Sequence, residues 1–166
     1  ADTKQVEKLV MVPMHARRRR LQMEERAEAL SRLAESNPFN RVGPGGDDVG
    51  LITSSISYQY VKEVFPEASV LKLGIAYPLP RKLIEDFAAQ VKRLYVVEEL
   101  DPFLEEQIRA LGVRVEEHAV KLHLGELNPS RLRQLRAEIY GEPAPTVPTK
   151  GVAEGLPARP PVLCAG

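Results

Sequence analysis

The clearest pattern of apolar and polar positions lies in the middle of the chain. Residues 94–97 form an unbroken apolar run that stops at Glu98 and Glu99. Such a short run predicts a strand buried on both faces, as in a parallel sheet. A helix is predicted over residues 102–111, because Asp101 is a favourable N-cap and a proline follows it. Strand, polar loop and capped helix together make one βα unit.

The same alternation of strands and amphipathic helices repeats on either side of this unit. Strands are predicted over residues 49–53, 69–73, 94–97 and 113–117, with residues 120–124 as a candidate fifth strand. Helices are predicted over residues 56–64, 80–91, 102–111 and 129–140. This order predicts an α/β fold, with a mostly parallel sheet of about five strands and helices on both faces.

The two ends of the chain have a different pattern. Residues 9–12 are a short apolar run and a candidate strand, and residues 16–35 predict a helix whose apolar stripe is formed by Met23, Ala27, Leu30 and Ala34. Residues 43–48 are rich in glycine and predict a polar break. The last 25 residues are rich in proline, glycine and alanine. We therefore expect an N-terminal helical arm (1–46), an α/β domain (47–141) and an extended tail (142–166).

Composition narrows the function classes. The chain is 43% hydrophobic and its formal net charge is +0, which disfavours a nucleic-acid binder because that binding depends on neutralising phosphates. The apolar runs are shorter than the roughly 20 residues of a membrane span. A single cysteine, Cys164, excludes an intrachain disulfide and fits a reducing, cytoplasmic compartment. No membrane or nucleic-acid partner is expected.

Arg17, Arg18, Arg19 and Arg20 form the one strong charge run. Four positive charges near the start of a helix oppose its dipole. They could bind a phosphate or an acidic partner, but a solvated arm or a face that meets another domain is the more common explanation.

Two polar pairs follow predicted strands, where open α/β sheets bind ligands. Ser54 and Ser55 precede a helix and could bind an anion, although the Gly-rich phosphate fingerprint is missing and simple N-capping is the more common role. Glu98 and Glu99 could be catalytic carboxylates. Consecutive strand residues point to opposite faces, however, so the two cannot easily share a proton. Binding the next helix's N-terminus or an interdomain arginine is the preferred explanation.

The remaining reactive side chains do not form a recognisable motif. His15, His118 and His123 are not separated by the spacing of a helical metal site, so no zinc site is predicted. Cys164 is expected to be a free thiol, unless it begins a C-x-x-C motif in a longer chain. No catalytic, cofactor-binding or metal-binding residue is therefore assigned.

Five sequence blocks together resemble a known family. They are LITS (51–54), YQYVKE (58–63), VLKLG (70–74), YPLP (77–80) and YVVEELDP (95–102). In order and spacing they resemble the large (alpha) subunit of indolepyruvate:ferredoxin oxidoreductase, over roughly residues 49–128. The segment RPPVLC (159–164) is similar to the lead into that subunit's following domain, and the basic helix to the end of its preceding domain.

The resemblance implies a transketolase C-terminal-like domain within a thiamine-diphosphate-dependent enzyme. It implies thiamine diphosphate, Mg and [4Fe-4S] clusters for the parent enzyme, which would convert arylpyruvates to acyl-CoA with CoA and pass electrons to ferredoxin. It also implies the small (beta) subunit and other domains of the same chain as partners. The family's Gly-Asp-Gly and Asn-Asn diphosphate motif and its ferredoxin cysteines are missing here, since Gly46-Asp47-Asp48 departs from the motif. No family residue role is transferred, and a non-catalytic structural domain is expected.

The alternative is a free-standing domain that binds a small ligand or anion. Its site would be the crevice at the strand ends near Ser54, Ser55 and Glu98, because such crevices are the usual binding places of doubly wound sheets.

Overall fold

The structure is a computed structural model, and it describes residues 3–10, 12–143 and 145. The predicted tail from residue 146 onward, including Cys164, lies outside the described residues. The elements in chain order are α1 (Val6–Leu9), α2 (Pro13–Ser36), β1 (Arg41–Gly43), β2 (Gly46–Ser54), α3 (Ser57–Val64), β3 (Ala68–Leu73), α4 (Arg81–Ala88), β4 (Arg93–Val97), α5 (Phe103–Ala110) and α6 (Pro129–Tyr140).

The four strands form one sheet in the order β1-β3-β2-β4. The β2 strand pairs in parallel with both β3 and β4, and β1 pairs antiparallel with β3. The predicted α/β class and mostly parallel sheet are confirmed, with four strands rather than about five. Val96 and Val97 are both buried, as a two-sided strand requires. Their strand is nevertheless the last in the order, and β2 is the strand with neighbours on both sides.

Two cores cover the two faces of the sheet. On one face, α3 and α6 pack on a cluster that includes Val49, Leu51, Val97 and Leu135. On the other face, α4 and α5 contribute to a cluster of residues that includes Ile52, Leu71, Val96, Phe87 and Ile108. Alternating residues of β2 therefore serve opposite cores, which is the period of an extended strand. The expectation of helices on both faces is confirmed.

The predicted strands over residues 113–117 and 120–124 are wrong. Neither segment is a strand, although the buried Val115 and Leu122 explain why their apolar pattern resembled one. Within residues 113–117 the backbone of Glu116 donates one hydrogen bond to the carbonyl of Leu94, at 2.8 Å. A ladder needs repeated bonds of this kind. The segment therefore packs beside β4 without extending the sheet.

The N-terminal region also differs from the sequence prediction. The predicted strand over residues 9–12 is wrong, because Leu9 ends α1, Pro13 begins α2 and neither Val10 nor Val12 lies in a strand. Met11 lies outside the described residues. The predicted break at residues 43–48 is wrong as well, because Gly43 lies in β1 and Gly46 begins β2. The pairing of β1 with β3 is non-local and could not be seen in a local pattern. The sheet thus begins before residue 46, while the division into domains at 46 and 141 stays a prediction.

The long helix α2 is confirmed, but its apolar stripe is mostly uncovered. Ala34 is buried, whereas Met23 and Leu30 are exposed. Arg18 and Arg20 on the same helix form exposed ion pairs with Glu7 and Glu24. Only the last turn of α2 therefore belongs to the packed body of the protein. No helix among the described residues is both long and apolar enough to cross a membrane.

Candidate functional site

The candidate site is the carboxyl edge of the sheet, where β2, β3 and β4 end. Ser54 is in register with Leu73, and Thr53 with Val97, so the loops that follow these strands lie side by side. After β2 the chain continues into α3 on one face, and after β4 it continues into α5 on the other. Such a change of direction between neighbouring strands is where open α/β sheets usually bind ligands.

Glu98 is the best-defined side chain at this edge. Its Oε2 accepts a hydrogen bond from the backbone N–H of Leu104 at 2.8 Å, and its Oε1 accepts one from Glu105 at 2.9 Å. The carboxylate therefore caps α5 from the end of the preceding strand, which confirms the preferred prediction for Glu98. The prediction that Asp101 is the N-cap is wrong, because Pro102 occupies that position.

Burial raises the pKa of the Glu98 carboxyl above its usual value. The two backbone N–H bonds from Glu105 and Leu104 lower the pKa but do not cancel the effect of burial, and the charges of Glu105 and Glu106 raise it further. A raised carboxyl pKa can mark a general acid, yet a cap on a buried helix end produces the same shift. Both oxygens of Glu98 are already bonded within the fold, which favours the structural role.

Glu99 points to the opposite face. Its Oε1 accepts a hydrogen bond from the backbone N–H of Leu127 at 2.9 Å, and Leu127 is buried in the core beside α3 and α6. The two neighbouring glutamates, which directly follow the end of β4, therefore serve different layers of the fold, as the alternation of extended residues predicts. They do not form a pair of carboxylates around one reaction centre.

The structure does not bring the two serines together with Glu98 in a binding crevice. Ser54 is half-buried at the end of β2 and Ser55 is exposed, with a backbone φ of 52°. No side chain caps the N-terminus of α3, so the N-capping interpretation of these serines is wrong. Next to them, the hydroxyl of Thr53 is buried without a hydrogen-bond partner among the described residues.

A small cavity of about 40 Å³ lies at the end of β4, and neither Ser54 nor Ser55 lines it. Its walls are formed by Val96, Glu98, Leu100, Pro102, Glu105, His118, Leu122 and His123. Small-molecule sites usually enclose roughly 300–1,000 Å³. The cavity has room for a few waters and not for a nucleotide or a 2-oxoacid, so it is not the predicted site that joins the two serines to Glu98.

A larger, open groove of about 430 Å³ lies beside α5. It is lined by Glu105, Arg109, Glu117, His118, Val120, Lys121 and His123. Arg109 is paired with Glu105 at 2.8 Å, and the Nδ1 atom of His118 is buried without a partner among the described residues. His15 lies on the arm instead, with its Nδ1 atom 3.1 Å from the carbonyl oxygen of Val10. Within the part of the chain that the structure describes, no three His, Cys, Asp or Glu side chains could together hold a metal ion.

Sequence analysis missed two polar residues that shape this edge. Glu35, at the end of α2, accepts hydrogen bonds from the backbone N–H groups of Lys82 and Leu83 and so caps α4. Asn40 is buried; its Oδ1 accepts from the N–H groups of Gly74 and Ile75, and its Nδ2 donates to the carbonyl of Ala34. The N–H groups that they bind are 34 to 48 residues away in sequence, so no local signal could reveal these contacts.

Comparison with curated proteins supplies the family. The chain is 36% identical over 171 residues to the indolepyruvate oxidoreductase subunit IorA of Archaeoglobus fulgidus, covering 95% of this chain and 27% of that protein. It is 33% identical over 177 residues to the same subunit of Methanothermobacter thermautotrophicus, covering 98% of this chain and 28% of that protein. Over this segment the chain is related to the IorA subunits. It spans little more than a quarter of the length of these relatives, and the family resemblance noted in the sequence is confirmed.

Comparison with solved structures supports the fold assigned to this IorA relative. A 2-oxoglutarate:ferredoxin oxidoreductase from Magnetococcus marinus, solved with 2-oxoglutarate, coenzyme A and succinyl-CoA bound, matches with a TM-score of 0.57 at 19% identity. The match covers 77% of this chain and 24% of that one. At this identity the likeness shows the fold alone. No protein-family model matches the chain.

Proposed function

We propose that this IorA-related chain is a non-catalytic structural and interaction domain of a 2-oxoacid:ferredoxin oxidoreductase. The observation that supports the proposal is that the candidate catalytic carboxylates already make hydrogen bonds within the fold. Both oxygens of Glu98 are bonded to the N-terminus of α5, and Glu99 is bonded to Leu127. A catalytic carboxylate must instead reach a substrate proton at hydrogen-bond distance.

The whole enzyme proposed for this segment oxidatively decarboxylates indolepyruvate and other arylpyruvates to acyl-CoA, with electron transfer to ferredoxin. Thiamine diphosphate, Mg and [4Fe-4S] clusters would be its cofactors, CoA its co-substrate, and the small (beta) subunit and the remaining domains of the chain its partners. Among the described residues there is no group of three metal-binding side chains, and the cavity of about 40 Å³ at the end of β4 is too small for thiamine diphosphate. The cofactors are therefore proposed to bind elsewhere in the parent enzyme.

Calorimetry tests the proposal directly. The chain should give no specific binding heat with thiamine diphosphate and Mg²⁺. A dissociation constant below about 1 μM, equivalent to roughly −8 kcal/mol, would overturn the non-catalytic role. A positive control is the intact oxidoreductase, in which the same titration should show binding.

A second candidate function is the binding of a small anion, and the 430 Å³ groove beside α5 is what favours it. His118, Lys121 and His123 offer nitrogen donors on one wall of the groove, although Glu117 opposes an anion there. A thermal-shift screen of phosphate, nucleotides and phosphorylated metabolites tests this candidate. A ligand at 100 times its dissociation constant should stabilise the fold by about 2.7 kcal/mol. Loss of that shift in His118→Ala, with the shift retained in Ser54→Ala, would place the anion in this groove rather than at the serines.

A further inference from the structure

The N-terminal arm contains a pocket that the proposed function does not use. It lies between α1 and α2 and has a volume of about 230 Å³. We propose that this cavity, called the arm pocket below, binds a phosphate group, either free or at the end of a small molecule. Its lining includes Glu7, Lys8, His15, Arg18, Arg19 and Gln22.

The lining of the arm pocket has an excess of positive charge. Lys8, Arg18 and Arg19 contribute three cations, against the single carboxylate of Glu7. That carboxylate is already paired with Arg18 at 2.9 Å, and among the described residues neither Lys8 nor Arg19 forms an ion pair. The groove beside α5 differs, because two glutamates lie in its wall. The charges of Lys8 and Arg19 are therefore left for an anionic ligand.

The arginine run at residues 17–20 has a cost that the fold offsets only in part. Arg20 is paired with Glu24, whereas Arg17 and Arg19 pair with no carboxylate among the described residues. Arg17 and Arg20 are three positions apart, a spacing at which like charges destabilise a helix. The first turn of α2 adds positive potential, because it has no acidic residue and no side-chain cap. A departure from local preference of this kind is typical of functional sites.

Two half-buried side chains of the arm pocket are held in place before any ligand binds. Arg19 donates from Nη1 to the Oε1 atom of Gln22 at 3.1 Å. His15 donates from Nδ1 to the carbonyl of Val10 at 3.1 Å, since a carbonyl oxygen can only accept. The remaining N–H groups of Arg19 form a planar fork that matches the oxygens of a phosphate. Donors that are fixed in advance lose less conformational entropy on binding.

The size and chemistry of the arm pocket favour a phosphate group over a larger ligand. Sites for whole small molecules usually enclose roughly 300–1,000 Å³ and are mostly apolar. The arm pocket encloses about 230 Å³, and every residue that lines it is polar or charged. A nucleobase or an acyl chain would find no apolar wall there. The pocket therefore suits the phosphate end of a molecule whose remaining atoms stay outside.

Titration of the 166-residue chain, followed by its amide NMR spectrum, tests the assignment. The probes are inorganic phosphate and glycerol phosphate. Exposed ion pairs are individually weak, so we expect a dissociation constant of about 1 mM, with shifts confined to the amides of residues 5–22. Lys8→Gln combined with Arg19→Gln should weaken binding about tenfold, because both cations of the pocket are lost. Arg26→Gln combined with Arg32→Gln removes the same charge outside the pocket and should weaken binding less than about twofold.

Three results would overturn the arm pocket: no binding of either probe, equal losses in the two double variants, or shifts centred on His118 and Lys121 in the groove beside α5. Binding of a glutamate-rich peptide without binding of phosphate would replace the phosphate group by an acidic protein partner.

The two probes distinguish the possible sources of the phosphate. Glycerol phosphate that binds as well as inorganic phosphate would show that a phosphorylated small molecule is accepted, and binding of inorganic phosphate alone would make the free ion the ligand. The expected dissociation constant lies far above the limit of about 1 μM set for thiamine diphosphate. Failure of the arm pocket would therefore leave the non-catalytic role intact, and tight thiamine diphosphate binding would overturn that role and not the pocket.

Discussion

The two edges of the sheet are built from different chemistry. At the amino edge, where β2, β3 and β4 begin, ion pairs at the surface link neighbouring elements; they include Lys92–Asp47, Arg93–Asp48, Arg133–Glu63 and Arg136–Glu67. At the carboxyl edge, the side chains of Asn40 and Glu98 are turned inward onto loop and helix N–H groups, and large apolar side chains such as Tyr77 and Leu100 are exposed. The two edges therefore differ in where their polar groups lie: at the surface of the amino edge, and inside the carboxyl edge.

The contrast extends to the titration of two glutamates. At the amino edge, partial burial raises the pKa of Glu67, but a backbone hydrogen bond and the Arg136 guanidinium outweigh it, so the pKa is lowered overall. At the carboxyl edge, burial prevails and the pKa of Glu98 is raised. The Glu67 anion is thus stabilised by the half-buried Arg136 cation, whereas the more deeply buried Glu98 is bonded to backbone N–H groups.

The largest expected effect comes from Asn40→Ala. The change would leave two N–H groups and one carbonyl without partners near the start of the β3–α4 loop. Each buried unpaired group costs about 1–3 kcal/mol, so we expect a loss of roughly 3 kcal/mol in the free energy of unfolding, measured with urea.

The matched variant at the amino edge is Arg133→Ala. It removes a 2.6 Å ion pair with Glu63 in which both side chains are about half exposed, and such pairs contribute at most about 1 kcal/mol. Equal losses in Asn40→Ala and Arg133→Ala would show that the two edges are not organised differently.

The second prediction concerns the sign of the pH dependence. Because the folded-state pKa of Glu98 is raised, the stability it contributes is complete below the unfolded value of 4.5 and is lost as the pH rises through the folded pKa. The advantage of the wild type over Glu98→Gln should therefore shrink between acid and neutral pH.

Glu67 should show the reverse behaviour. Its lowered pKa gives stability that is present above 4.5 and is lost as the pH falls through the folded pKa. Urea unfolding of Glu67→Gln and of the wild type from neutral to acid pH should show their difference decreasing on acidification. If the stability difference between wild type and variant changed with pH in the same direction for both glutamates, the contrast between the two edges would be contradicted.

A smaller effect is expected at alkaline pH, from Tyr140 at the amino edge. Burial, followed by the negative charge of Glu67, raises the pKa of its phenol from 10.0 to about 12. The folded state therefore holds this proton more tightly, and the stability it contributes is lost as the pH rises from 10 through about 12. Thermal unfolding of Tyr140→Phe should lack this decline. An equally steep decline in the variant would assign it to other groups.

The smallest expected change is a gain, in Leu100→Gly. Glycine adopts the φ of 66° without the steric cost of a side chain, but it loses more backbone entropy on folding. We expect this chain to be stabilised by about 0.5–1 kcal/mol in urea unfolding. A clear destabilisation would mean that the Leu100 side chain packs within the fold.

The elements predicted correctly are those whose signals are local. The βα units around β2, β3 and β4 follow from apolar runs and helical periodicity, and α6 follows from Asn128, which caps it, and Gly141, which ends it at a φ of 66°. The role of Glu98 was predictable for the same reason, since its partners are six and seven residues away.

The features that sequence analysis missed depend on distant partners. Asn40 bonds to residues 34 and 35 positions away, and Glu35 to residues 47 and 48 positions away. The β1 strand exists because three residues pair with β3, and nothing in its own glycine-containing sequence indicates a strand. The apolar pattern of residues 113–117 predicted a strand, and Val115 is indeed buried, but packing and pairing are separate properties. Local periodicity predicts which side chains pack in the core, but not which segments pair as strands.

The segment beside β4 also affects how readily this domain aggregates in solution. The last strand of a sheet offers unpaired N–H and C=O groups on which another chain can assemble, and amyloid growth begins in this way. Here residues 113–117 lie along that strand, make one hydrogen bond to Leu94 and carry Arg114, Glu116 and Glu117. Charged side chains at such a position repel an incoming strand. The same segment that fails to extend the sheet within the molecule therefore prevents its extension between molecules.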